Sequence, residues 1–219
     1  MKAPQLAQAL FAVVAALAVY SFVSTARDSE RRRVCMPLCA MRPNYAAQNR
    51  LAPDFDLPSI DGKRRRRSDY AGKVLILNFW TKSCPPCLEE MPSLAELAKI
   101  LREHPGIELV SICTDDTAEE IRGTLQSVLG GQAPFPVLID PDAKVVTGKY
   151  GTRMYPETWF IDGQGVIRAR FDGVRDWASP LTVNFAETLK SANTCEIQFS
   201  GASPFGPLAG LCDEIGAAG

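Results

Sequence analysis

Histidine is nearly missing from this chain: His104 is the only one in 219 residues. A zinc centre would need further soft ligands at suitable spacing around a cysteine pair, and haem attachment would need histidine after Cys87, where Leu88 stands. These absences argue against a metal or haem centre, and no cofactor is expected. Charge imbalance is missing too. A net charge of −1 at pH 7 supplies no field to draw nucleic acid or an acidic partner. The one dense basic run in the body, Lys63 to Arg67, reads as a solvated hairpin edge. Internal repeats are absent, and no small-residue lipobox precedes Cys35 or Cys39, so lipidation is not expected.

What is present begins with cysteine. Seven of them are many for a reducing cytosol, and Cys35, Cys39, Cys195 and Cys212 flank the body of the chain, as suits an oxidising compartment. Their pairing is open: Cys35 and Cys39 are spaced for a local disulfide or for bonds to the tail, and Cys195 and Cys212 could close a loop on themselves. With 46% apolar residues the chain can fill one core and carry appendages. Leu6 to Val23 is an apolar stretch just long enough to span a bilayer, which reads as an anchor over residues 1–26. Ser24-Thr25-Ala26 keeps a cleaved signal open as the alternative. Either way the domain is exported to the extracytoplasmic face of the cell envelope. Against this, Arg27, Arg31, Arg32 and Arg33 follow the span, whereas the positive-inside tendency would keep them in the cytoplasm.

The chain is organised around Val74 to Pro92, VLILNFWTKSCPPCLEEMP. Its first half is almost continuously apolar, as a parallel strand buried on both faces must be. Leu88, Met91, Leu94, Leu97, Ala98 and Leu101 then recur at helical spacing, so Cys84 and Cys87 fall at the strand-to-helix turn and in the first helical turn. Free N–H groups and the macrodipole at a helix start favour a thiolate at Cys84. A drop in pKa from about 8.5 to about 7 would raise the thiolate at neutral pH from roughly 3% to about half. Cys87, on the same side one turn later, can attack a mixed disulfide formed at Cys84 and release the partner reduced. Pro85 and Pro86 fix φ where their missing N–H groups cost little.

This segment resembles the thioredoxin fold, and NFW…CPPCLEEMP resembles its extracytoplasmic TlpA/ResA-like branch of thiol-disulfide oxidoreductases. The resemblance implies an α/β domain, a central mixed sheet flanked by helices, over residues 51–191, preceded by a transmembrane or signal helix. It implies Cys84 as nucleophile, Cys87 as resolving thiol in a Cys84–Cys87 redox disulfide, and Glu90 as acceptor of the buried thiol's proton. Pro156, in the run from Gly151 to Asp162, matches the cis-proline that faces the cysteines, so Tyr155, Pro156, Trp80, Pro85 and Pro86 are expected to meet substrate. The implied partners are proteins with disulfides, of the apocytochrome c or metallochaperone kind, and a membrane electron donor. Ser83 and Lys82 depart from the branch's usual tryptophan-bearing string, which bears on surface shape and redox poise.

Around that domain, residues 27–50 read as a polar linker and residues 192–219 as a Gly-, Ala- and Pro-rich tail. Ile107 to Cys113 reads as the next parallel strand, with Cys113 a small apolar filler. Thr117 to Glu120 has capping-box spacing and opens a helix closed by Gly130-Gly131. A peroxiredoxin-like peroxidase is the rival enzyme, because Thr81-Lys82-Ser83-Cys84-Pro85 imitates its nucleophile turn. A thioredoxin-fold module that binds a partner or hands on a metal is the non-catalytic rival.

Overall fold

The computed structural model describes residues 3–46, 50–115, 117–191, 195–201 and 203–216. Helix α1 (Ala3–Met41) leads into β1 (Tyr45–Ala46) and a two-stranded hairpin of β2 (Asp56–Pro58) and β3 (Arg64–Arg66). Then come β4 (Val74–Trp80), α2 (Pro85–Ile100), β5 (Ile107–Cys113), α3 (Ala118–Leu129) and β6 (Val137–Ile139). The chain continues through a π-helical turn, Val146–Tyr150, to β7 (Glu157–Ile161), β8 (Ile167–Asp172) and α4 (Pro180–Thr188). The tail adds β9 (Gln198–Ser200), β10 (Ser203–Phe205) and α5 (Gly210–Gly216). One sheet runs in the order β10-β9-β1-β8-β7-β4-β5-β6. β4, β5 and β6 are parallel, β7 runs antiparallel beside β4, and β8 runs antiparallel beside β7. This is the expected mixed sheet, and β4–α2–β5 is its βαβ unit.

β4 sits inside because its alternating side chains feed two cores. Val74, Ile76 and Trp80 join α2, α3 and α4 on one face, while Leu75, Leu77 and Phe79 join Phe55, Tyr70, Val146 and Tyr150 on the other. All seven of its residues are buried, which is why the run carries no polar alternation. The basic run is a solvated hairpin in which Arg64 and Arg66 pair with Asp56, Arg65 with Asp61 and Arg67 with Asp54.

One expectation about the flanks is corrected, and a cysteine pairing left open by the sequence is resolved. The stretch expected to be a linker over residues 27–50 is helical as far as Met41, and the short strand Tyr45–Ala46 follows. The physical reason is a short apolar face: Val34, Cys35, Leu38, Cys39 and Met41 recur at helical spacing, and all are buried. Pro37 removes one N–H donor without ending the helix. The helix stops at Arg42, whose left-handed φ of 47° and following Pro43 cannot continue it. The tail, in turn, does not close on itself. Cys195 bonds Cys35 and Cys212 bonds Cys39, so two disulfides fasten the tail to α1. α1 packs on α4 and α5 through this end, and β9 extends the sheet beyond β1, with Phe199 and Ile197 buried beneath it.

The other end of α1 stands clear of the domain, with Leu6, Leu10, Phe11, Leu17, Tyr20 and Phe22 exposed. A helix of 39 residues is about 58 Å long. It is long and apolar enough to cross a membrane.

Candidate active site

The site forms where β4 hands over to α2. Cys84 is the N-cap of α2, in extended backbone conformation, and its Sγ accepts a hydrogen bond from the Cys87 N–H at 3.2 Å. Cys84 is half-buried, Cys87 fully buried, and the two are joined as a disulfide. Pro85 and Pro86 occupy the first two helical positions and are exposed, giving the sulfur pair a rigid apolar rim.

One turn further, Glu90 lies at 1% exposure under the cysteines. Trp177 Nε1 donates to its Oε2 and Asn78 Nδ2 to its Oε1, both at 2.8 Å. Burial pushes its carboxyl up to about 7, and the hydrogen bonds from Trp177 and Asn78 moderate that rise. Asn78 also donates to Thr158 Oγ1 at 3.0 Å, tying β4 to β7 below the site. Glu90 is therefore no solvated first-turn glutamate but a buried carboxyl poised near neutrality.

The segment opposite comes from β7. The Tyr155–Pro156 bond is cis. Glu157 pairs with Phe79 across the sheet, which brings Pro156 to the end of β4 from which the Cys84 turn departs. Pro156 is buried and Tyr155 half-buried, packed against the core that holds Cys84 and Cys87. Behind the proline, Glu157 Oε1 accepts from Trp159 Nε1 at 2.6 Å and from the Thr152 hydroxyl, so a buried carboxyl fastens both ends of that loop. Burial raises its pKa.

Of the residues expected to meet substrate, Trp80 does not fit. It is wholly buried on the helix-covered face of β4, because a strand covered on both sides leaves no side chain at the surface. Lys82 stands beside the cysteines, but its Nζ is bound to the Glu120 carboxylate. The turn itself is held by Asp115, whose Oδ2 accepts from Thr81 Oγ1 (3.0 Å), the Lys82 N–H (2.5 Å) and the Cys113 thiol (3.0 Å). Cys113 is buried, and desolvation pushes its thiol far above the ordinary range. Among the described residues no cluster of three His, Cys, Asp or Glu is disposed to hold a metal ion. Sequence reading missed Trp177, Asp115 and the Glu157 bridge; a tryptophan 87 positions from its carboxylate partner leaves no local spacing to detect.

The AhpC/TSA family model matches residues 49–170. Thioredoxin-like protein YneN of Bacillus subtilis is 32% identical over 118 residues, covering 53% of this chain and 66% of that protein. Thiol-disulfide oxidoreductase ResA of Geobacillus thermodenitrificans is 32% identical over 122 residues, covering 56% and 67%. The match thus spans about two thirds of the length of these curated relatives. Among solved structures, a candidate thiol:disulfide interchange protein DsbE from Chlorobium tepidum superposes with a TM-score of 0.56 at 26% identity, over 64% of this chain and 96% of that one. A candidate thioredoxin from Neisseria meningitidis superposes with a TM-score of 0.54 at 30% identity, over 65% and 91%.

Proposed function

The chain belongs to the AhpC/TSA family, and from that premise we propose that it is a thiol-disulfide oxidoreductase, anchored by α1 at the extracytoplasmic face of a membrane, which reduces disulfides in other proteins. The observation that carries this reading is the pairing of a half-buried Cys84 at a helix start with a buried Cys87 bonded to it, above a carboxyl held near pH 7.

In the reduced protein, the Cys84 thiolate attacks one sulfur of a substrate disulfide. The substrate's other sulfur leaves as a thiolate and takes a proton from solvent. A mixed disulfide then joins Cys84 to the substrate. Cys87 gives its proton to Glu90 and attacks Cys84, so the substrate's remaining sulfur departs and the Cys84–Cys87 disulfide forms. Two electrons have passed from the dithiol to the substrate. A membrane electron donor returns them, and Glu90 gives the proton back to Cys87. A carboxyl titrating near 7 suits this exchange, since it can accept and return a proton at ambient pH. Substrate backbone docks beside Tyr155 and Pro156, where a proline removes one N–H and leaves its neighbours' groups to pair with an extended chain. The named relatives support exchange chemistry, and their kind suggests clients such as apocytochrome c or metallochaperone cysteines.

Disulfides Cys35–Cys195 and Cys39–Cys212 support an oxidising compartment. Three of the four arginines beyond the span are taken up in ion pairs: Arg31 with Asp28, Arg33 with Glu30, and Arg32 with Glu214 of the tail helix. The test is a trap. In cells carrying Cys87→Ser, a mixed disulfide on Cys84 should accumulate in the envelope and yield its partners on reduction. Its absence, with the protein present and folded, would refute the two-cysteine cycle.

A further inference from the structure

Between the fastened end of α1 and the buried carboxyl under the cysteines lies one side chain, Arg175. Its Nη1 donates to the carbonyl of Met41, the last residue of α1, at 2.9 Å, and its Nη2 to the carbonyl of Arg42 just beyond it at 3.4 Å. The guanidinium lies 4.7 Å from the centre of the Phe171 ring. On its other side the backbone is tied to α2: Ser93 Oγ donates to the Arg175 carbonyl and accepts from the Trp177 N–H, both at 3.2 Å. Trp177 then reaches Glu90. The loop from Gly173 to Trp177 is thus pinned at one end to α1 by a cation and at the other to Glu90 by an indole.

We propose that Arg175 is a positioning residue for the redox site: it fastens the Trp177 loop to the end of α1 and so sets the hydrogen bonding and charge that Glu90 meets. This deepens the reading above and rests on it only for the role of Glu90. The end of α1 is an apt anchor because the Cys35–Cys195 and Cys39–Cys212 bonds hold it to the domain. Arginine fits the place because its planar fork can serve two carbonyls and stack on an aromatic ring together. Around Glu90, Arg175 is the charged neighbour, while Cys87, one turn earlier on α2, is held in the disulfide with Cys84. Asp172 of β8 faces Arg175 in turn, and Asn78 and Trp177 are neutral donors. The Arg175 charge and its backbone hydrogen bond both favour the Glu90 carboxylate.

The measurement is the titration of the Glu90 carboxyl by carbon-13 NMR in full-length protein labelled at glutamate, with the resonance assigned by Glu90→Gln. Arg175→Gln should move its midpoint upward by about half a unit to one unit. Arg175→Lys, which keeps a cation but cannot serve two carbonyls, should move it upward by less. In a Trp177→Phe background, where the indole is already gone, the Arg175→Gln shift should shrink; an undiminished shift would mean that Arg175 acts through charge alone and would overturn the positioning role. A midpoint equal to that of the unmodified protein in either Arg175 variant overturns the inference. Arg175→Lys is the milder change and decides the matter alone if Arg175→Gln does not fold. Failure of the functional reading looks different: Glu90→Gln would then leave disulfide reduction unchanged while the Arg175 shifts remain.

Discussion

Two kinds of disulfide occur in this protein, and they do opposite work. Cys84–Cys87 joins residues three apart, whereas Cys35–Cys195 and Cys39–Cys212 join residues 160 and 173 apart. By the chain-entropy argument, closing three residues restricts the unfolded chain by roughly 1–2 kcal/mol, and closing a ring of about 160 by about 5 kcal/mol. The first bond can open and close without changing what the fold is. The other two make the helix end and the tail part of the fold. The family match at residues 49–170 holds the first pair and neither of the others. A redox domain common to many proteins has here been fastened to its own leading helix by elements outside the matched region.

The comparison breaks most sharply at Cys84. Cys84→Ser should cut disulfide reduction by at least about 10³-fold if, as proposed, its thiolate is the nucleophile. Compared with the reduced protein, in which the Cys84–Cys87 bond is already open, the variant's thermal transition should barely move. Replacing Cys39 and Cys212 by alanine should do the reverse. With Cys35–Cys195 intact, the lost closure is a ring of about 20 residues, worth about 3 kcal/mol. For a domain of this size that lowers Tm by about 6–12 °C. Activity below the transition should persist, and calorimetry beside a turnover assay reads both. If the Cys39/Cys212 variant lost activity without losing stability, the division of labour drawn above would be wrong.

How far each region can be read from sequence follows the same division. The catalytic turn is local: Val74 to Pro92 carries its strand, its cap, both cysteines and Glu90 within one βαβ unit, and a single proline at 156 supplies the facing segment. The helix–tail clamp is not local. Cys35 and Cys39 show a spacing, but their partners lie across the whole domain, and no pattern near them chooses between each other and the tail. The apolar face around them is only two turns long and sits in charged sequence, so composition suggested a tether. Trp80 is hard to read for another reason: an aromatic beside a site looks like a contact, whereas the sheet covers it on both faces. Trp177 and Arg175 reach Glu90 from the far side of the chain, in a loop whose sequence has no period.

Glu90 gives an effect of intermediate size with a definite sign. Its folded pKa of about 7 lies above the 4.5 of an ordinary glutamate carboxyl. Between those values the folded state holds a proton that the unfolded state has released, so stability falls as pH rises through this window. Below about pH 4.5 the contribution is fully present, and above about pH 7 it is gone. Between pH 5 and pH 7.5 the loss from this group is about 2 kcal/mol. Urea unfolding of Glu90→Gln should lack that part of the slope. An unchanged slope would mean that folding does not raise the Glu90 pKa, leaving a carboxylate too weakly basic to take the Cys87 proton near neutral pH. The clamp offers no counterpart, since its disulfides do not titrate.

The smallest effect is expected at Lys82, where sequence alone suggests a strong one. A cation two residues before the nucleophile would ordinarily favour the thiolate. Here its Nζ is bound to Glu120, both side chains are partly exposed, and the Asp115 carboxylate receives the Lys82 backbone N–H. The ammonium is thus already paired, and exposed pairs contribute only about 0.2–1 kcal/mol. Lys82→Ala should move the midpoint for alkylation of Cys84 by a few tenths of a unit at most. In the double variant with Glu120→Ala the midpoint should return toward that of the unmodified protein, because removing the pair changes the local charge little. A shift of a full unit in Lys82→Ala would show that the ammonium, and not the helix start, holds the thiolate, and the acidity of Cys84 would then belong to this chain's own departure from its relatives.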